Sequence, residues 1–123
     1  MARSYRELLV WQKAKALAVS IYRSTEPFPR TEVYGLSSQL RRAAVSIASN
    51  IAEGQGRLTV SEFRHFLGQA RGSLLELETQ INIAFDLTYL KHTEYEALER
   101  ETYEVLGLLN RLIESLSRSR STV

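Results

Sequence analysis

The chain has 123 residues, 44% of them hydrophobic and 24% charged, and a formal net charge of +2. These values suit one soluble globular domain large enough to bury a core. It contains no cysteine, which excludes disulfides, thiolate chemistry and cysteine-based metal sites.

The first periodic segment spans about residues 6–24. Leu8, Trp11, Ala14, Ala18 and Ile21 recur every three or four positions, which predicts an amphipathic helix. Pro27 and Pro29 end it, because proline lacks an N–H donor and restricts the residue before it. Phe28, between them, is expected to plug the end of a bundle. A second helix is predicted from near Thr31, with its firmest part over 36–53 and Leu40, Ala44, Ile47 and Ile51 on one face. Gly54 and Gly56 are expected to terminate it in the left-handed conformation that glycine tolerates.

Thr59 and Glu62 have the spacing of a capping box, opening a third helix to about Tyr89. Phe63, Phe66, Leu67, Ala70, Leu74, Leu77, Ile81 and Ala84 form its apolar face, and Gly68 and Gly72 are expected to admit a bulky neighbour. Thr93 and Glu96 repeat the capping pattern before a fourth helix reaching about Ser117, with Leu98, Thr102, Val105, Leu109, Leu112 and Leu116 on its stripe. The expected fold is all-α, a four-helix bundle with short turns and antiparallel neighbours. It forms one domain over 1–117, followed by a flexible basic tail over 118–123.

Chemical motifs are sparse. Asn50, Glu53, Glu76 and Glu78 are the residues from which a carboxylate-dependent enzyme would be built. On helices two and three they read better as polar contacts, with arginines such as Arg41 and Arg64 as ion-pair partners. Glu62-x-x-His65 occurs once, in the first turn of a helix, so a ferritin-like metal cage is not expected. No cofactor is expected, and no catalytic residue is assigned. Residues 8–11 are too short for a signal peptide, no run approaches the roughly 20 apolar residues of a membrane span, and a cytoplasmic location is expected.

Charge is uneven along the chain. Residues 1–72 carry 11 basic and 5 acidic groups, and residues 73–117 carry 3 basic and 9 acidic groups. Lys13, Lys15, Arg41, Arg42, Arg64 and Arg71 are the candidates for charge-driven contact with RNA or DNA. No zinc finger, RNP sequence or KH loop accompanies them.

Five segments together resemble a known family: LLVWQKA over 8–14, FPRTEVYGLSSQLRRAA over 28–44, SIASNIAEG over 46–54, EFRHFL over 62–67 and GSLLELE over 72–78. The chain is similar to the small S23-type proteins encoded within intervening sequences of bacterial large-subunit ribosomal RNA genes. It also resembles the related accessory proteins of diversity-generating retroelements. The resemblance implies an up-down-up-down bundle assembled as a ring-like homopentamer, and no enzymatic mechanism. In the retroelement relatives it implies a reverse transcriptase partner and nucleic-acid binding through a basic surface. The family positions Asn50, Glu53, Ser73 and Glu76 are intact and are read as a structural polar node.

Overall fold

The computed structural model describes residues 4–121, with side chains through residue 118. It is an all-α four-helix bundle: α1 Leu9–Thr25, α2 Leu36–Gln55, α3 Val60–Asp86 and α4 His92–Ser121. Each helix packs on its chain neighbours, α1 also packs on α4, and the diagonal backbones stay apart. Contacts between successive helices run in opposite chain directions. Ser46 meets Ser73 and Gly54 meets Phe63 across α2 and α3, while Asn82 meets Tyr95 and Arg71 meets Asn110 across α3 and α4.

The buried stripes follow helical spacing. Val10, Ala14, Leu17 and Ile21 of α1 meet Leu40, Ala44, Ile47 and Ile51 of α2 and Leu67, Leu74, Leu77 and Ile81 of α3 in one core, with Leu98, Val105 and Leu109 of α4. Thr102 sits fully buried among them because its hydroxyl donates to the Leu98 carbonyl at 2.6 Å, which satisfies the polar group inside the helix.

The helix ends differ from expectation in instructive ways. Residues Tyr5–Glu7 form a 3-10 turn capped by the Ser4 hydroxyl, and α1 begins only at Leu9. Arg30–Glu32 is likewise a 3-10 turn, and α2 begins at Leu36. There Glu32 acts as the cap, accepting the Leu36 N–H at 3.0 Å and the Tyr89 hydroxyl at 2.9 Å. The backbone N–H of Leu36, then the Tyr89 hydroxyl, hold the Glu32 carboxyl below its ordinary range. Its stabilising contribution is therefore present above the ordinary carboxylate range and is lost as pH falls through the lowered value. Phe28 is buried at this end of the bundle, with its ring 5.2 Å from that of Tyr89.

Thr59 caps α3 as its spacing predicts, its hydroxyl accepting the Glu62 N–H at 3.1 Å and donating to the Glu62 carboxylate at 3.0 Å. The second predicted box does not form. Helix α4 begins at His92, and Glu94, not Glu96, reaches back to accept the Lys91 N–H at 2.8 Å. The helical backbone continues to Ser121, past the point where a tail was expected to begin, and residues 122–123 lie outside the described residues.

The glycines also depart from expectation. Gly56 has φ −80°, and no described glycine has positive φ. A left-handed cap occurs at the end of α3, on Thr88 at φ 63°. Its N–H reaches the Phe85 carbonyl at 2.9 Å and the Tyr89 N–H reaches the Ala84 carbonyl at 2.9 Å, the paired bonds of a Schellman turn. Gly54 is needed for proximity: a β-carbon there would lie 2.9 Å from both Phe63 Cδ1 and Phe66 Cβ. Gly68 and Gly72 admit no neighbour, since nothing lies within 4 Å of a β-carbon at either.

Gly54→Ala is expected to lower stability by about 1–3 kcal/mol, the usual cost of overpacking, read as a lower urea midpoint. Thr88→Gly is expected to raise stability by about 1 kcal/mol, because glycine enters the left-handed region without the β-carbon clash. A midpoint at or below that of the unaltered chain would show that position 88 carries no strain.

Candidate functional site

The small residues of α2 and α3 bring the two backbones close enough for short polar side chains to meet. Ser46 Oγ and Ser73 Oγ lie 2.9 Å apart across the interface. Asn50, one turn beyond Ser46, donates from Nδ2 to the Ser46 carbonyl at 2.9 Å and to Ser46 Oγ at 3.0 Å. All three residues are half-buried. The four residues read as one node separate here. Glu53 is exposed and pairs with Arg57 at 3.2 Å on its own helix, instead of with Arg41 or Arg64. Glu76 is exposed in a groove with Gln39, Arg42 and Gln80. Asn50 and Ser73 thus share a serine-centred contact that includes neither carboxylate.

The six candidate cations lie on several faces. Lys13 reaches across to Glu104 at 3.6 Å, and Lys15 lies 5.5 Å from the centre of the Trp11 ring. Arg71 donates to Asn110 Oδ1 at 2.9 Å. The Arg64 Nε is buried without a hydrogen-bond partner among the described residues. Arg41 bridges α2 to α1: Nε donates to Thr25 Oγ1 at 2.8 Å, and the guanidinium sits 4.7 Å over the Tyr22 ring and 3.6 Å from Glu26. Arg42, its neighbour, is exposed. Arg41 and Arg42 line a common cavity.

The carboxylates with unusual surroundings are elsewhere. Glu78 on α3 accepts from Asn82 Nδ2 at 3.0 Å and Tyr103 at 3.4 Å, and Tyr95 donates to Asn82 Oδ1 at 2.6 Å. Glu99 of α4 has a buried Oε1 without a hydrogen-bond partner among the described residues. Burial first, and then the negative charge of Glu78, push the Glu99 carboxyl above its ordinary range. Burial, followed by the charge of Glu99, raises the Tyr95 phenol. The charge of Glu78 is the largest cause raising Tyr103. Sequence reasoning singled out Glu78 but not Glu99. The signal was its position one residue after buried Leu98 on the side facing α3, which needs helix pairing to interpret.

Among the described residues no group of three or more His, Asp or Glu could hold a metal ion. No described helix is long and apolar enough to cross a membrane.

The family pattern described as 23S rRNA-intervening sequence protein matches residues 6–111. A crystal structure of a Bacteroides thetaiotaomicron protein of unknown function, from the S23 ribosomal protein family, shares the fold with a TM-score of 0.80 at 23% identity. The match covers 86% of this chain and 96% of that one. No curated protein matches the chain.

A raised carboxyl pKa means that the folded state holds a proton more tightly than the unfolded chain. Stability therefore falls as pH rises from the ordinary carboxylate range through the raised value of Glu99. Glu99→Gln, which removes the charge, is expected to raise the melting temperature at neutral pH and to abolish that decline. Superimposable melting profiles of the two proteins from about pH 4 to about pH 8 would refute the assignment.

Proposed function

The chain belongs to the 23S rRNA-intervening sequence protein family, and from that premise we propose a non-enzymatic protein that works by self-association and surface contact. Copies join through the outer face of α1 and α2, in the homopentamer of up-down-up-down bundles that the family resemblance implies. The apolar strip on that face carries the reading. Val19 and Val45 are 42% and 43% exposed, and a groove of about 330 Å³ between the helices is lined by Trp11, Ala18, Val45, Ala48 and Ala52, with Lys15 and Ser49 among them. Scattered apolar residues are ordinary on a surface, but a strip continuous across two helices favours a protein partner. Its alanines let another helix approach closely, and Trp11 supplies the large side chain that anchors interfaces.

A second reading follows from the segregation of charge between residues 1–72 and 73–117. Repetition of a basic surface around a ring multiplies weak phosphate contacts. The protein would then contact RNA or DNA, as an accessory subunit of a reverse transcriptase or another nucleic-acid enzyme. Lys13, Lys15, Arg64 and Arg71 are its test positions beside Arg41 and Arg42.

Sedimentation equilibrium is expected to give a mass several times that of one chain. Val45→Glu should return it toward a single chain with helicity intact, because a charge would be buried at the interface. A monomer at tens of micromolar removes the assembly reading. In the second reading, binding of structured RNA weakens steeply as salt rises; no binding above background at low salt rejects it.

A further inference from the structure

A cavity lies at the end of the bundle where α1 turns into α2. It measures about 410 Å³, and its lining includes Arg30, Arg41, Arg42, Ser37, Thr25 and Glu26. We propose that this cavity is a binding site for a phosphate dianion, free or as the monoester end of a nucleotide.

Charge is the first ground. Three arginines and one glutamate line the cavity, and that glutamate, Glu26, is 84% exposed at its side chain. A phosphate monoester carries about −1.5 to −2 at neutral pH, which matches the net excess of two positive charges. Arginine suits the role because its planar fork donates two parallel hydrogen bonds to such an anion.

Preorganisation is the second ground. Arg41 is already oriented: Thr25 Oγ1 accepts its Nε–H at 2.8 Å, and the Tyr22 ring lies beneath it at 4.7 Å. The Thr25 hydroxyl in turn donates to the Ile21 carbonyl at 2.8 Å, which fixes it on α1. Arg30 and Arg42 make no side-chain hydrogen bond or ion pair among the described residues. Arg30, in the turn before α2, and Arg42, in the second turn of α2, are cations available to a ligand.

The third ground is a hydroxyl without a protein partner. Ser37 is 7% exposed, lines the cavity, and has no hydrogen-bond partner for its side chain among the described residues. It stands in the first turn of α2, where Glu32 takes the Leu36 amide and the following amides of Ser37 and Ser38 meet no acceptor among the described residues. A dianion seated between the arginines would accept from this hydroxyl and from those amides. Tyr22 and Phe28 line the same cavity and offer apolar surface to whatever the phosphate carries. The volume falls within the range of small-ligand sites, about 300–1,000 Å³.

The site shares Arg41 and Arg42 with the RNA reading, and saturation by a small ligand at one site per chain is what separates the two. The test is calorimetric titration of the full chain at low salt with inorganic phosphate, adenosine 5′-monophosphate and adenosine. The mononucleotide is expected to bind at one site per chain. Adenosine should bind at least about tenfold more weakly, since loss of charged hydrogen bonds costs that much or more. The double variant Arg30→Gln, Arg42→Gln should lose at least about tenfold in affinity for either anion, and Ser37→Ala should weaken it in the same direction. Arg100→Gln, which removes an exposed cation outside the cavity, should leave binding unchanged. Helicity and melting of each variant guard against misfolding. Tighter binding of the mononucleotide than of phosphate assigns Tyr22 and Phe28 to the nucleoside; equal binding assigns free phosphate as the ligand. Adenosine binding as well as its monophosphate, anion binding unaltered in the double variant, or no binding to the unaltered chain would overturn the proposal.

Discussion

The close approach of α2 and α3 is the constraint on which the rest of the molecule depends. Gly54 leaves no room for a β-carbon between the helices, and Ala43, Ala44 and Ala70 keep the interface thin. At that separation Ser46 and Ser73 meet directly. Serine is short enough to bond across the gap, and Asn50 completes the hydrogen bonding from one turn away. A bulkier interface would hold the helices apart and leave these hydroxyls half-buried without partners, which is costly in a low-dielectric interior.

From that central pair the outer helices take their places through the larger side chains. Leu17 and Ile21 of α1 and Leu98, Val105 and Leu109 of α4 close the core from the two flanks. The connections at one end are then tied together by polar groups. Glu32 joins the start of α2 to Tyr89, the residue that follows the left-handed turn at Thr88. Arg41 joins the same start to the end of α1 through Thr25. Opposing pH effects reside in this framework: Glu32 stabilises when ionised, whereas Glu99 stabilises when protonated.

The proposed recognition surfaces are what the framework leaves unused. Many of the conspicuous charges are spent on local pairs, as with Glu53 and Arg57, or on tertiary ones, as with Lys13 and Glu104. The features left over are an apolar strip on α1 and α2 and a cavity ringed by arginines. Neither includes a nucleophile beside a base, the arrangement covalent catalysis requires. Both suit recognition.

Helix number, helix type and the buried stripes were legible from the letters alone, because apolar spacing, proline stops and the Thr59 cap are local effects of neighbouring residues on one backbone. Pairing was not. The sequence placed Asn50, Glu53, Ser73 and Glu76 together, yet only Asn50 and Ser73 converge: Glu53 shares the face of Ser46 and Asn50 but stands in the last turn of α2, where it pairs with Arg57, and Glu76 is exposed in a groove beside Arg42. It likewise grouped six cations that the bundle gives different partners, and it expected a left-handed glycine at the end of α2, where Gly56 has φ −80°, whereas the left-handed turn falls on Thr88 at the end of α3. Composition and periodicity determined by themselves that this chain would form amphipathic helices and bury their stripes. Which polar groups meet, which glycine is indispensable and where a cavity opens were decided only in the tertiary structure, since these depend on the rotation and separation of helices distant in sequence.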